Sequence, residues 1–160
     1  MIRYPKALCP SGDPAFSSPM EKGRGVWIRR RPDSSVGNSG GGVCIMFTGS
    51  LYVQVTAAAD ILKTRGIAAD LYNLRFLKPV DEDYLAEIMN QYDSVIIAEE
   101  GCRSGAFAEY VSDLALRRNC TCRILVRTVN ENFDALGKRE ELLRRNGLDA
   151  ESIAAAAGGN

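Results

Sequence analysis

At 160 residues the chain fits one domain, long enough to bury roughly two thirds of its unfolded surface. Hydrophobic residues make up 46% and charged residues 25%, as in ordinary soluble globular proteins. Twenty Lys and Arg balance twenty Asp and Glu, and a formal net charge of zero leaves no electrostatic footprint for nucleic acid or an anionic membrane.

No apolar run approaches the ~20 residues that cross a bilayer. Met1 to Pro5 does not lead into the apolar stretch of a signal peptide, so the composition reads as cytoplasmic. The five cysteines, Cys9, Cys44, Cys102, Cys120 and Cys122, are odd in number and scattered, a poor disulfide framework. Cys120 and Cys122 would point to opposite faces of a strand. The absence of histidine excludes Ser-His-Asp and Cys-His mechanisms and leaves a transition metal without its commonest ligand.

Pro5, Pro10, Pro14 and Pro19, with Gly12, Gly23 and Gly25, predict an irregular, extended lead-in over residues 1–24. Residues 25–160 then read as one domain. Val26-Trp27-Ile28 resembles a short strand. Arg29, Arg30 and Arg31 form either an anion-binding cluster or a solvated strand end, and Asp33 to Gly42 has almost nothing to bury. Val43 to Phe47 is a continuous apolar run, expected of a strand buried on both faces. Thr48-Gly49-Ser50 follows with residues suited to capping a helix over about Tyr52 to Arg65, which stops at Gly66.

Ile67 to Asn73 supplies the next strand. Asp81 is placed to cap a helix whose Leu85, Ile88, Met89 and Tyr92 recur on one face. Ser94 to Ala98 forms a third buried strand, Phe107, Tyr110, Val111 and Leu114 repeat the helical spacing, and Arg123 to Arg127 gives a further strand. A helix near Lys138 to Asn146 stops at Gly147, and Asp149 caps the last one. Strands alternating with helices imply parallel crossovers and a three-layer α/β/α sandwich with a mostly parallel sheet.

In such sheets ligands gather outside the carboxyl ends of the strands. Thr48-Gly49-Ser50, Arg75 and Glu99-Glu100 fall there. Thr48-Gly49-Ser50 belongs to no GxGxxG or Walker loop and is either a tight turn or a functional one. Glu99 and Glu100 point to opposite faces and so cannot share one proton as a dyad; a structural or interface role suits them. Arg75 sits between a strand and a capped helix, where a guanidinium suits either bidentate phosphate binding or a salt bridge.

These segments, in this order, are similar to those of a known family. Ile2-Arg3-Tyr4-Pro5-Lys6 resembles the "IRYPRG" segment of 1-deoxy-D-xylulose-5-phosphate synthases, and Gly23-Arg24-Gly25-Val26 resembles their "GKG" strand entry. Asn73 to Asp81 is similar to "ARFVKPLD", Val95 to Gly101 to "vvtvEEn", and Glu140 to Asp149 to "eell…GLda". The resemblance is to the C-terminal, transketolase-like domain of that transferase family, and it covers nearly the whole chain.

It implies a role in isoprenoid precursor synthesis, from pyruvate and glyceraldehyde 3-phosphate. The family's thiamine diphosphate, Mg2+ and activating glutamate lie in upstream domains, so this chain is expected to bind no cofactor and to be inactive alone. It implies partners too: the upstream thiamine-diphosphate and pyrimidine-binding domains, and a homodimer in the complete enzyme. Arg3 and Arg75 take the family's phosphate-contacting positions. Three departures stand out: a long stretch from Arg30 to Gly42, Leu136 where many members have His, and Ser104-Gly105-Ala106-Phe107 without the usual double glycine. Two other readings fit the same elements, a 2-oxo-acid dehydrogenase beta subunit and a standalone binding or regulatory module.

Overall fold

The computed structural model describes residues 12–32, 42–132 and 136–158. Five strands, β1 (Val26–Arg29), β2 (Val43–Phe47), β3 (Ala69–Asn73), β4 (Ser94–Cys102) and β5 (Arg123–Val129), form one sheet in the order β1-β3-β2-β4-β5. Pairings β2–β3, β2–β4 and β4–β5 are parallel, as the alternation of strands and helices implies. The edge strand β1 is antiparallel to β3. That direction was not legible, because four residues after an irregular lead-in carry no crossover helix to dictate it.

Alternation along β2 explains the layers. Val43, Ile45 and Phe47 face α1 (Tyr52–Thr64) and α5 (Ala150–Ala157), with Leu143 of α4 (Arg139–Arg145) in the same cluster. Cys44 and Met46 face α2 (Glu82–Met89) and α3 (Phe107–Arg117). All five β2 residues are buried, so its unbroken apolar run is what a strand covered on both sides requires.

The helix boundaries follow local chemistry. Asp81 accepts from the Tyr84 amide at 3.1 Å and Asp149 from the Ser152 amide at 3.4 Å, each satisfying an otherwise unpaired donor of a first turn. Gly66 (φ +75°) and Gly147 (φ +67°) end α1 and α4 in the left-handed region. Tyr92 departs from the expected pattern: its spacing is helical, but α2 ends at Met89 and Tyr92 is buried just beyond it. Its hydroxyl donates to Asp70 at 2.8 Å.

The described part of the lead-in, residues 12–24, is irregular but latched. It contains a 3₁₀ turn, Pro14–Ser17, capped by Asp13, whose other oxygen accepts from the Tyr52 hydroxyl at 2.9 Å. Arg24 bonds Asp81 at 2.8 Å, and its guanidinium lies 4.3 Å from the Tyr84 ring centre. Gly25 is required by packing: a Cβ there would stand 2.2 Å from the Asn73 carbonyl oxygen. Cys120 and Cys122 precede β5 and both pack against the α2–α3 cluster, so the strand alternation expected of them does not apply.

Candidate functional site

From β2 the chain crosses to β3 on one side and, after α2, to β4 on the other. The carboxyl ends of β2 and β4 therefore frame the topological switch point of the sheet. Thr48 follows β2 there, and its amide donates to the Ala98 carbonyl at 3.2 Å. The expected helix cap is not formed. Gly49–Leu51 makes a 3₁₀ turn instead, Leu51 takes the N-cap of α1, and neither Thr48 nor Leu51 caps through its side chain. The Ser50 hydroxyl reaches across to the Glu100 carboxylate.

Glu99 and Glu100 diverge. Glu99 Oε2 accepts from the Ala108 amide at 3.0 Å, in the first turn of α3, where a carboxylate also favours the helix dipole. Glu100 goes to the other face and pairs with Arg139 of α4 at 2.7 Å. Arg139 also donates to the Ser50 carbonyl at 3.4 Å, so β2, β4 and α4 are tied at one point. Ser50 was singled out in sequence as part of the Thr48-Gly49-Ser50 turn, but its partner Arg139 was not. They lie 89 positions apart, and no local pattern announces such a pair.

Arg75 leaves the end of β3 and closes on the lead-in. Its Nη1 donates to the Ser18 and Pro19 carbonyls at 3.0 and 3.4 Å, and its Nη2 to those of Ala15 and Phe16 at 3.1 and 2.9 Å. These oxygens lie in or just after the 3₁₀ turn, and that of Ala15 also accepts from the Ser18 amide at 3.1 Å. The guanidinium's Nε is left out of these contacts. Arg3 lies outside the described residues.

Beyond Arg75 the chain runs through the cis Lys78–Pro79 bond and lines a cleft of about 700 Å³ with the first turn of α3. Its carboxylates are Glu99, Glu109 and Asp113, against the single cation Lys78, so the cleft itself does not attract anions. The Ser104-to-Phe107 turn is carried by Gly105 alone (φ +79°), whose amide donates to Glu109 at 2.7 Å. Tyr110 donates to Glu82 at 2.5 Å. Arg117, Tyr110 and Arg118 together hold the Glu82 carboxyl down to about 2. Arg24 holds the Asp81 carboxyl below its usual range.

Thus Glu99 and Glu100 share the last part of β4, while Arg75 stands just past β3, two strands away. Leu136, at the position where many members of the resembled family carry His, is fully exposed. Among the described residues no three Cys, Asp or Glu side chains gather as a metal site, and no helix is long and apolar enough to cross a membrane.

The topology and the switch-point turn define a class. Residues 35–153 match the model of the transketolase C-terminal domain, and the chain belongs to that family. Among curated relatives, the 1-deoxy-D-xylulose-5-phosphate synthase of Treponema pallidum is 41% identical over 156 residues, covering 98% of this chain and 24% of its own length. The synthase of Oleidesulfovibrio alaskensis is 28% identical, with coverage of 95% and 23%. The chain therefore spans about a quarter of the length of these relatives. Among solved structures, a split-gene transketolase described as an inactive beta4 tetramer is 26% identical with a TM-score of 0.73, covering 92% of this chain and 44% of that one. Campylobacter jejuni transketolase, at 15% identity and TM-score 0.56 over 83% of this chain and 18% of its own, shows the shared fold.

Proposed function

We propose that this chain acts as the C-terminal domain of a 1-deoxy-D-xylulose-5-phosphate synthase, a transferase that joins a two-carbon unit from pyruvate to glyceraldehyde 3-phosphate. The observation that carries this reading is the 41% identity across 98% of the chain to a protein of that name. Thiamine diphosphate and Mg2+ belong, on this reading, to upstream domains. No catalytic step is assigned to the residues of this chain. The complete enzyme is a cytoplasmic homodimer in which this domain supplies interface and substrate contacts.

Arg75, with Arg3, contacts the aldehyde's phosphate. The free Nε–H of Arg75 is the donor open to that phosphate, while its two Nη atoms hold the lead-in against the sheet. Arg75 thus positions the segment that descends from Arg3 as well as offering a charge. Glu99 and Glu100 are structural, fixing the switch point rather than moving protons.

In the full-length enzyme, Arg75→Ala is expected to raise KM for glyceraldehyde 3-phosphate at least about tenfold and to change KM for pyruvate less than about twofold. Equal effects on both substrates would overturn the phosphate assignment. The isolated chain, supplied with both substrates, thiamine diphosphate and Mg2+, is expected to show no turnover. Activity above blank would overturn the placement of catalysis upstream.

A further inference from the structure

A second cleft, of about 560 Å³, opens at the carboxyl end of β5, between that strand, the α4–α5 turn and α5. Three arginines line it from three elements: Arg103 just past β4, Arg127 on β5 and Arg145 at the end of α4. Elsewhere ion pairs hold Arg29 to Asp60, Arg31 to Asp70 and Arg139 to Glu100. Here pairing fails. Among the described residues neither the Arg103 nor the Arg145 guanidinium has a hydrogen-bond or ion-pair partner, and Arg127 only donates to the neighbouring Val126 carbonyl at 3.1 Å. The single carboxylate in the lining, Glu131, is turned to the Ser104 amide at 2.7 Å.

The concentration of charge is local, because the chain as a whole is neutral. Like charges lining one concavity repel one another, and among the described lining residues three arginines stand against the single carboxylate of Glu131. An anion would offset the excess. The planar fork of arginine matches the oxygens of a phosphate two at a time. The hydroxyls of Thr128 and Ser152, also in the lining and without partners among the described residues, add neutral donors. The volume exceeds that of a bare phosphate and falls in the range of small-molecule sites. Its place, outside the carboxyl end of a parallel strand, is where open α/β sheets take ligands.

We propose that this cleft binds a small phosphorylated ligand, held by Arg103, Arg127 and Arg145. The site is separate from Arg75: β2 and β4 lie between β3 and β5, which sets the two roughly 14 Å apart.

The test is a titration of the 160-residue chain with inorganic phosphate at constant ionic strength, read by amide chemical shifts and by calorimetry. Saturable binding with shifts centred on residues 127–131 and 146–152 is expected. Arg103→Ala and Arg145→Ala should each weaken it about fivefold or more, and Arg117→Ala, which removes a surface arginine paired with Glu82 away from the cleft, less than about twofold. Both cleft substitutions remove exposed, unpartnered side chains, and an unchanged melting temperature checks that the variants fold. Absence of saturation to about 10 mM would overturn the proposal. So would shifts of residues 127–131 and 146–152 that survive the double variant, or that are lost with Arg117→Ala alone.

Discussion

Two arginine sites share the carboxyl edge of this sheet and differ in what surrounds the guanidinium. At the end of β3, Arg75 has four backbone carbonyls in its grip and stitches the lead-in to the core. At the end of β5, Arg103 and Arg145 stand in a cleft without partners among the described residues. The same residue type therefore has both Nη atoms bonded to backbone in one place and neither bonded to a described residue in the other. Partner count, not position along the edge, separates the two.

Substitutions can break that contrast, beginning where pairing is most complete. Asp70 is fully buried and accepts from the Arg31 amide, the Arg31 Nε and the Tyr92 hydroxyl. Asp70→Ala should cost about 3 kcal/mol in urea unfolding, because it removes a buried carboxylate that accepts from the Arg31 amide, the Arg31 Nε and the Tyr92 hydroxyl at once. A loss below about 1 kcal/mol would show that paired arginines here carry little structure.

Next comes Arg75→Ala, expected to cost about 2 kcal/mol and to open residues 12–19 to protease while the core stays resistant. Arg75→Lys should recover only part of this, since one ammonium cannot reach four carbonyls. Full recovery would mean that charge alone, not the fork, does the holding.

The Glu82 network is intermediate, being paired but at the surface. The folded value of about 2 lies below the unfolded value near 4.3, so the stabilisation is fully present above about pH 4.3. It is lost as the pH falls toward 2. The urea midpoints of the wild-type chain and Glu82→Gln should differ at pH 6 and converge by about pH 2. A gap that persists at pH 2 would assign the effect to packing.

Smallest of all, Arg103→Ala and Arg145→Ala in phosphate-free buffer should each shift stability by less than about 0.5 kcal/mol. A larger loss would reveal partners and erase the contrast between the two edges.

The strand–helix succession was readable because each element carries its own local signal. β2 and the core of β4 are continuous apolar runs, Asp81 and Asp149 are caps, and Gly66 and Gly147 are stops. What depends on distant neighbours was not readable. The antiparallel direction of β1, the 3₁₀ turn in the proline-rich lead-in and the burial of Tyr92 against Asp70 are all settled by tertiary contacts. Thr48-Gly49-Ser50 misled as a cap because the Ser50 hydroxyl finds a carboxylate on another strand. Of the candidate site residues, Arg75 and the Glu99-Glu100 doublet were singled out because they follow apolar strand runs, although β4 continues beyond the doublet to Cys102. The trio Arg103, Arg127 and Arg145 was missed, since those positions converge only through the β4–β5 pairing and the α4–α5 turn.

The glutamate doublet also marks phase. Adjacent in sequence, Glu99 and Glu100 anchor opposite helical layers, one through an α3 amide and the other through an α4 arginine. Sliding β4 by a single residue would present each carboxylate to the other's layer, leaving the Ala108 amide and the Arg139 guanidinium without their acceptors together. The strand therefore has a built-in check on its own alignment, independent of the apolar run before it, which would tolerate such a slip far better because Val95 to Ala98 is hydrophobic on both faces.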